Sequence, residues 1–294
     1  MSTPLLTLVI PCYNEEANLD RVLPDVIAYC RRNDYLLIVV DDGSKDGTAE
    51  KLARYTDPLL KVCKHKCNRG YGAALKTGLG QVQTPWAVTI DADGQHRLED
   101  VDRLFERALR DDADLVVGAR DINSSGLYRS LGKRLIRAFA SLLMELPVSD
   151  LNSGMKLYRM EVARVYLGLC PDTMAFSDII LLLMVNDRNL VLEEKITVNA
   201  RLGGTSTINS RCAWNTLTEI LNIAMLLCPQ KIFSFFGIFL FLGGILWGGI
   251  IYYRSHEIPA SATMLLLGAG MCFSLGLLGE QLAQIRRRQN FREK

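Results

Sequence analysis

Short apolar runs alternate with amphipathic stretches along the first part of the chain. The runs have the aliphatic and β-branched composition of buried strands, and they cover residues 5–10, 35–41, 59–64, 86–91 and 114–119. Apolar residues at helical spacing occur between or beside them, in residues 15–32, 46–56, 70–82 and 98–111. Strands that alternate with helices predict an α/β fold with a mostly parallel, doubly wound sheet, whose functional sites lie at the carboxyl ends of its strands.

The pattern changes in the second half of the chain. Residues 130–190 have a mostly helical pattern, and residues 190–200 have the pattern of another strand. Residues 211–228 carry apolar side chains at helical spacing, which fits either a core helix or a helix that lies in a membrane interface. Both interpretations stay open on the sequence.

Two long uncharged segments follow near the C-terminus. Residues 232–253 and 260–279 are each long enough to cross a bilayer as a helix, and only residues 254–259 separate them. We therefore predict a helical hairpin with a short outer loop; a buried helical pair in a soluble core is the alternative. Basic residues flank the hairpin at Lys231 and at 286–288, so the positive-inside rule places both ends in the cytoplasm.

These patterns divide the chain into four predicted parts. Residues 1–210 would form a cytosolic α/β domain, 211–230 a juxtamembrane amphipathic helix, 231–285 a transmembrane hairpin and 286–294 a basic cytoplasmic tail. Glycines on the first span would let helices pack closely, either within the hairpin or between the subunits of a homo-oligomer. These glycines are Gly237, Gly243, Gly244, Gly248 and Gly249.

Composition narrows the class of protein. Hydrophobic residues make up 49% of the 294 residues, which is high for a purely soluble protein, and the formal net charge of +2 gives no electrostatic argument for a nucleic-acid partner. The apolar run at 5–10 is too short for a signal peptide, so the first domain is expected in the cytosol, where the eight cysteines stay reduced. A zinc site at residues 63–67 is disfavoured because no second ligand pair with zinc spacing follows.

The segment Asp91-Ala92-Asp93-Gly94-Gln95-His96 carries the strongest chemical signal. It follows the apolar run that ends at Ile90, so two carboxylates and an amide would lie at the end of a buried strand. Hard oxygen ligands of this kind suit a Mg²⁺ or Mn²⁺ that stays partly hydrated and takes its other ligands from a diphosphate. The alternative is an ordinary acidic turn, which is common after strands.

Other strand ends carry polar motifs as well. Pro11-Cys12-Tyr13-Asn14-Glu15-Glu16 ends the first run, where Tyr13 would contact a base and Glu15 a ribose, although a helix start also favours acidic residues. Asp41-Asp42-Gly43-Ser44 ends the second run, where either aspartate would accept from a nucleobase N–H or a ribose hydroxyl. Asn68-Arg69-Gly70-Tyr71-Gly72 opens a helix, and its small residues would let the backbone approach a phosphate or sugar.

Three further motifs complete the set. They are Gly118-Ala119-Arg120, Asp150-Leu151-Asn152-Ser153-Gly154, and Arg201 followed by Gly204-Thr205-Ser206. In order and spacing the whole set resembles the family 2 glycosyltransferases, which have the Rossmann-like GT-A nucleotide-sugar fold, and within them the dolichyl-phosphate mannose synthase and polyprenyl-phosphate glycosyltransferase branch. The resemblance covers nearly the whole chain. Departures from the family pattern at Arg97, Asp121, Met155 and Thr207 bear on the acceptor contacts and the choice of sugar.

The resemblance implies a role for each matching residue. The metal would be surrounded by Asp91, Asp93 and Gln95, and Arg201 would join the two aspartates as the catalytic set by reaching the donor diphosphate. The nucleotide would be held by Pro11, Tyr13, Glu15, Asp41 and Asp42. The acceptor's phosphate would be received by Arg120, Arg129 and Arg134, and the sugar site would be lined by Asp150 and Ser153. A solvated helix face is the alternative for Arg129 and Arg134, and a helix-capping turn for Asp150 and Ser153.

The implied reaction is the transfer of one sugar, with inversion, from a nucleotide-diphosphate sugar such as GDP-mannose or UDP-glucose to a dolichyl or undecaprenyl monophosphate at the cytoplasmic face of the membrane. A phosphate monoester is already largely ionised at neutral pH, so no strong general base is required. Two alternatives remain on the sequence: a processive polysaccharide synthase of the same superfamily, and a non-catalytic membrane scaffold that binds nucleotide sugars.

Overall fold

The structure, a computed structural model, describes residues 4–120, 147–151, 153–198, 225 and 228–292, with side chains as far as residue 285 in the last of these ranges. These residues fall into two compact units. One is an N-terminal α/β unit, described up to Val198, and the other is a C-terminal helical hairpin that begins at Cys228.

A seven-stranded sheet organises the α/β unit. Its strands are β1 (Leu6–Cys12), β2 (Leu36–Asp41), β3 (Leu60–Lys64), β4 (Trp86–Thr89), β5 (Leu115–Arg120), β6 (Lys156–Arg159) and β7 (Val191–Ile196). They lie in the order β3-β2-β1-β4-β6-β5-β7, and every neighbouring pair is parallel except the two pairs that contain β6. The carboxyl ends of β2, β1, β4 and β5 therefore lie along one edge of the sheet, together with the start of β6.

Helices cover both faces of this sheet. They are α1 (Glu16–Asn33), α2 (Thr48–Leu52), α3 (Tyr71–Gly80), α4 (Leu98–Asp111), α5 (Met160–Leu167) and α6 (Phe176–Asn186). Alternation along β1 shows why both faces are covered: Leu8 and Ile10 belong to the apolar cluster that includes α1 and α4, whereas Val9 points at Gly78 of α3. Every residue of β1 is consequently buried, as expected for a central parallel strand.

The elements predicted for the first 120 residues are confirmed, with the second helix shorter than expected. The prediction of a mostly helical pattern over 130–190 was wrong at β6, which lies antiparallel between β4 and β5. Four residues with a lysine at one end and an arginine at the other give no apolar run, although Lys156, Leu157 and Tyr158 are fully buried. The mixed, mostly parallel sheet is that of the GT-A fold.

The hairpin consists of α7 (Pro229–Ser255) and α8 (Ala260–Arg292). Both helices are long and apolar enough to cross a membrane, with mean hydropathies of 2.0 and 1.8, and only 11% and 17% of their most apolar stretches are buried. Large side chains such as Phe239 and Leu246 are about two-thirds exposed or more, which does not fit the buried core pair considered as the alternative. Residues 286–292, expected as part of a tail, continue α8 as a helix.

Glycines on α7 divide between two faces. A Cβ on Gly237, Gly244 or Gly248 would lie 3.1 Å from the nearest atom of α8, so these three permit close packing within the hairpin. Gly243 and Gly249 have no such neighbour within 4 Å. The predicted juxtamembrane helix at 211–230 lies almost entirely outside the described residues.

The helix α3 provides a stability test because two of its glycines differ in surroundings. A Cβ on Gly78 would lie 2.4 Å from Val9 Cγ1, whereas one on Gly80 would meet no non-neighbouring atom within 4 Å. We expect Gly78→Ala to lower the free energy of unfolding by about 1–3 kcal/mol through overpacking. Gly80→Ala should be neutral or stabilising by up to about 1 kcal/mol, because alanine is the better helix former. Thermal unfolding of the full chain in detergent compares the two, and equal midpoints would contradict the close approach.

Candidate active site

The carboxyl ends of four strands open into a cleft of about 610 Å³. Along the sheet edge its polar groups follow strand order: Asp42 after β2, Tyr13 after β1, Asp91 and Asp93 after β4, and Arg120 at the end of β5. At a strand spacing of about 4.8 Å, β1 and β5 lie about 14 Å apart. The cleft is therefore long enough to hold two polar ligands end to end, with the acidic pair between them.

The loop after β1 is held to the loop after β2 by reciprocal hydrogen bonds. Asn14 accepts from the backbone N–H of Lys45 at 2.9 Å, and Glu16 Oε2 accepts from the N–H of Gly47 at 2.9 Å. Asp46 in turn accepts from the N–H groups of Glu16 and Thr48. Glu16 and Asp46 thus have structural roles, and the two loops form one rigid wall of the cleft.

Three predicted nucleotide contacts lie on this wall. Pro11, Tyr13 and Glu15 all line the cleft, and Tyr13 is 40% exposed. Glu15 Oε2 accepts a hydrogen bond from Asn18 Nδ2 at 2.6 Å, which fixes the carboxylate in the first turn of α1. An exposed aromatic ring beside a fixed carboxylate can stack on a base and accept from a hydroxyl.

The neighbouring aspartates after β2 have different surroundings. Asp42 lines the cleft but is only 2% exposed. Its Oδ1 accepts hydrogen bonds from the Arg69 N–H at 2.9 Å and from His65 Nδ1 at 2.6 Å, and its Oδ2 accepts one from the Gly70 N–H at 2.8 Å. Asp41 is 1% exposed, does not line the cleft, and accepts from the Ser44 N–H. The structure therefore brings Asp42 to the end of the cleft beside β1 and β2, and it does not bring Asp41 there.

The glycines at the start of α3 make a packing contact that the sequence did not predict. A Cβ on Gly70 would lie 2.4 Å from the carbonyl oxygen of Asp172, and one on Gly72 would lie 2.4 Å from that of Pro171. The N–H of Ala73 donates to the Asp172 carbonyl at 3.2 Å. The small residues thus let a loop between α5 and α6 pack onto the helix start, and because Gly70 also lines the cleft, the approach of a phosphate or sugar to this backbone stays a prediction.

Asp91 is held by its neighbours on both oxygens. The Tyr71 hydroxyl donates to Oδ1 at 3.0 Å, and His96 Nε2 lies 3.4 Å from Oδ2. Burial raises the pKa of Asp91, but the bonds from His96 and Tyr71 and the charge of Arg120 outweigh it and hold that pKa below its ordinary value. A Cβ on Gly154 would lie 2.2 Å from Asp91 Oδ2, so this position requires glycine.

Asp93 and Gln95 complete the acidic turn. Asp93 is half-buried and lines the cleft, and its Oδ1 accepts from the Gln95 N–H at 3.1 Å. Gln95 is half-buried but does not contribute to the cleft wall. Among the described residues no three His, Cys, Asp or Glu side chains form a ready metal cluster. The turn offers hard oxygen atoms for a cation that takes most of its ligands from elsewhere.

Arg120 and Asp150 form a bidentate ion pair at the far end of the cleft. Arg120 Nε lies 2.6 Å from Asp150 Oδ2, and a second guanidinium nitrogen lies 3.1 Å from Oδ1. Arg120 lines the cleft with its side chain 30% exposed. Ser153, expected at the sugar site, is instead fully buried, where its hydroxyl bonds with the backbone of Met155. The remaining predicted cations, Arg129, Arg134 and Arg201, lie outside the described residues.

Three cleft residues were missed from the sequence. Tyr71 orients Asp91, and Met174 and Ser177 line the cleft from the start of α6. Met174 is 68% exposed, which leaves an apolar side chain at the cleft mouth. Tyr71 belongs to the motif at residues 68–72, but nothing in the local sequence linked it to Asp91, twenty residues away.

A second cavity of about 740 Å³ lies on the other side of the Asp91–His96 turn, against α1 and α4. Its wall includes Arg21, Arg103 and Asp100, of which the last two are ion-paired. His96 Nδ1 is buried there and has no partner among the described residues. This cavity shares Asp91 with the cleft but lacks the loops that follow β1 and β2.

Comparison with known proteins places the chain among sugar transferases. Residues 7–167 match the family model Glycosyl transferase family 2, and residues 228–285 match the model GtrB C-terminal hairpin. An undecaprenyl-phosphate 4-deoxy-4-formamido-L-arabinose transferase from Photorhabdus laumondii is 26% identical, over 95% of this chain and 89% of that protein. A dolichyl-phosphate beta-glucosyltransferase from Dictyostelium discoideum is 27% identical, over 66% of this chain and 65% of that protein.

Solved structures share the fold at lower identity. Glucosyl-3-phosphoglycerate synthase from Mycobacterium tuberculosis, crystallised with Mn²⁺, uridine diphosphate and phosphoglyceric acid, superposes with a TM-score of 0.60. The match covers 75% of this chain and 78% of that one, at 20% sequence identity. The likeness agrees with the arrangement of sheet and helices described above.

The bonding of Asp42 makes a direct prediction. Asparagine at this position would turn an amide donor toward N–H groups that now meet a carboxylate, so we expect Asp42→Asn to lower the free energy of unfolding by about 2 kcal/mol or more. Asp93→Asn is the matched control, because an amide oxygen can still accept from Gln95. Thermal unfolding of both variants provides the measurement. A wild-type midpoint for Asp42→Asn would mean that the carboxylate is not needed to hold the loop.

Proposed function

This chain belongs to glycosyl transferase family 2, and we propose that it moves a single sugar from a nucleotide-diphosphate sugar to a polyprenyl monophosphate at the cytoplasmic face of a membrane. One observation carries the proposal. The sheet edge presents Tyr13 and Glu15, the acidic turn and Arg120 in that order within one cleft, on a chain that carries an apolar hairpin. The relatives that act on undecaprenyl phosphate and dolichyl phosphate support the same class of acceptor.

The donor would lie along the β1 and β4 part of the edge. Tyr13 offers a ring for the base, and Glu15 a fixed acceptor for a ribose hydroxyl. Asp42 has each oxygen already bonded to backbone, so it would shape this pocket and accept at most one further bond. Arg201 is proposed to reach the diphosphate, because a guanidinium suits phosphate oxygens.

The acidic turn fits a divalent cation. Asp93 faces the cleft with a carboxylate, and Asp91 is kept ionised beside it by Tyr71 and His96. We propose that Asp91, Asp93 and Gln95 hold Mg²⁺ or Mn²⁺, and the Mn²⁺ bound to the structural relative supports this class of ion. When bound, such an ion neutralises negative charge that grows on the leaving diphosphate.

The acceptor phosphate would enter at the β5 end. Arg120 offers a guanidinium to a phosphate oxygen, and the Asp150 carboxylate would share that guanidinium with the phosphate or yield it. One phosphate oxygen then forms a bond to the anomeric carbon as the bond to the donor diphosphate breaks, which inverts the configuration. Because the second pKa of a phosphate monoester is about 6, the nucleophile is ionised without a catalytic base.

The hairpin explains why a lipid acceptor suits this chain. A polyprenyl chain is confined to the bilayer, and α7 and α8 would confine the enzyme to the same surface. Confinement of both partners raises their encounter rate. Met174 adds an exposed apolar side chain at the cleft mouth, where the first isoprene units of an acceptor would emerge.

The direct test uses purified full-length protein in nanodiscs with polyprenyl phosphate, Mn²⁺ and a panel of labelled nucleotide sugars. We expect one donor to yield lipid with a single sugar, with activity lost in EDTA and restored by Mn²⁺ or Mg²⁺. Long products would indicate the processive synthase. Donor binding without any transfer would indicate the scaffold.

Replacement of the cleft-facing acid should separate chemistry from folding. We expect Asp93→Asn to reduce turnover by about 100-fold or more, because charge on the leaving group loses its compensation. Asp112→Asn is the control, since its side chain is 88% exposed and its left-handed backbone tolerates asparagine. Full activity in Asp93→Asn would remove this residue from the site.

The orientation of the hairpin can be tested separately. With both ends cytoplasmic, an epitope inserted after Glu257 should react with antibody on the outer surface of intact cells. An epitope at the C-terminus should react only after the cells are permeabilised. The opposite pattern would place the cleft on the wrong side of the membrane for a cytosolic donor.

A further inference from the structure

A buried ammonium lies beneath the floor of the cleft. Lys156 opens β6 and is fully buried. Its Nζ donates to the carbonyl oxygen of Leu151 at 2.8 Å and to that of Ser177 at 2.7 Å. Lysine is rarely buried this completely, because the loss of hydration must be offset by hydrogen bonds and opposite charge. Neither the family motifs nor the steps proposed above use this residue.

The two carbonyls belong to two different segments: one adjoins the Arg120–Asp150 pair and is called the Arg120–Asp150 wall, and the other adjoins the Tyr71–Asp91 pair and is called the Tyr71–Asp91 wall. Leu151 follows Asp150, which holds the guanidinium of Arg120. Ser177 lines the cleft, and its side chain hydrogen-bonds with the hydroxyl of Tyr71, which in turn donates to Asp91. Lys156 is therefore bonded to the backbone of both walls at points next to the groups proposed to face acceptor and donor.

The charged groups around Lys156 belong to the same two walls. Three carboxylates act on its ammonium, in the order Asp178, Asp150 and Asp91, and Arg120 opposes them. The thiol of Cys170 also lies within its influence. The ammonium of Lys156 thus offsets the mutual repulsion of these three carboxylates. A neutral side chain of similar length would fill the space and supply neither the two bonds nor the charge.

We propose that Lys156 is a positioning residue that joins the Arg120–Asp150 wall to the Tyr71–Asp91 wall and so sets the distance between acceptor phosphate and donor sugar. This inference rests on the proposed function for the identity of the two substrates. Among the residues that the structure describes, Lys156 makes no hydrogen bond to the wall formed by the loops after β1 and β2, so that wall should be unaffected by its loss.

The charge state of Lys156 offers a readout that a space-filling residue would lack. Burial lowers the pKa of Lys156 to about 8, against the raising effect of the neighbouring carboxylates. The ammonium is therefore lost as pH rises through about 8. In that range Asp91 is already ionised, and Tyr71 stays protonated because burial and Asp91 raise its pKa well above 10. The acceptor phosphate, with a second pKa of about 6, is ionised throughout.

The first experiment compares steady-state kinetics of wild type, Lys156→Met, Lys156→Arg and the control Lys61→Met in nanodiscs with Mg²⁺. Lys61 is an exposed lysine on β3 that donates to Gln81 Oε1, so its loss removes the same charge far from the cleft. We expect Lys156→Met to lower kcat by about 100-fold, the loss typical of reactants displaced by about 1 Å, with the donor KM within twofold of wild type. Lys156→Arg should retain more activity than Lys156→Met.

The pH profile provides the second readout. Wild-type kcat should fall above about pH 8, and the residual rate of Lys156→Met should show no such fall. The same alkaline fall in Lys156→Met would overturn the positioning role. So would a Lys156→Met variant with wild-type kcat, or one whose only defect is a raised donor KM.

The third readout needs no turnover and keeps the inference separate from the proposed function. Hydrogen exchange should show lost protection at residues 148–151 and at 175–179 in Lys156→Met, with residues 60–64 unchanged. Loss at one segment alone, or at neither, would mean that Lys156 does not join the two walls. If the wild-type protein transfers no sugar but both segments lose protection in Lys156→Met, the proposed function fails. The inference that Lys156 joins the two walls then stands.

Discussion

The constraint on which this structure depends is the gathering of like charges at one edge of a sheet. Asp42, Asp91, Asp93 and Asp150 all follow or precede strands whose ends meet there. Carboxylates that leave water for the edge of a packed sheet need protein donors to replace the hydration they lose. Asp42 receives two backbone N–H groups and His65, Asp91 receives Tyr71 and His96, and Asp150 receives Arg120. These donors come from loops far apart in sequence, so the acidic cleft and the packing of the fold depend on each other.

The same constraint explains where the chain uses glycine. Gly154 leaves room for the carboxylate of Asp91, which a Cβ would meet at 2.2 Å. Gly70, with a φ of 105°, lets its own N–H reach Asp42 while the loop at 171–173 packs onto it. Both positions lie in motifs that also mark the family. The close contacts of the backbone that these glycines permit help to hold the walls of the cleft.

Much of the fold could be predicted from the spacing of apolar residues along the chain. The strands β1 to β5 and β7, the helices between them and the hairpin all showed their pattern in sequence. β6 did not, because four residues bounded by lysine and arginine show no apolar run, and the charge of Lys156 is satisfied only by carbonyls of distant segments. The motif aspartates were placed at the right edge, but sequence could not separate Asp41 from Asp42. Asp41 is the last residue of β2 and Asp42 the first beyond it, so their side chains leave the chain in different directions, and only Asp42 reaches the cleft.

The central claim is that the acidic turn holds a cation against the diphosphate of a donor while the cleft remains open toward Arg120. A crystal structure of the full chain grown from a lipidic phase with Mn²⁺ and the donor it accepts, with an anomalous difference map for manganese, tests this most directly. We expect the manganese peak within coordination distance of the Asp93 carboxylate, with the base beside Tyr13 and the anomeric carbon turned toward Arg120. A donor bound with no manganese at this turn, or with its sugar directed away from Arg120, would contradict the account.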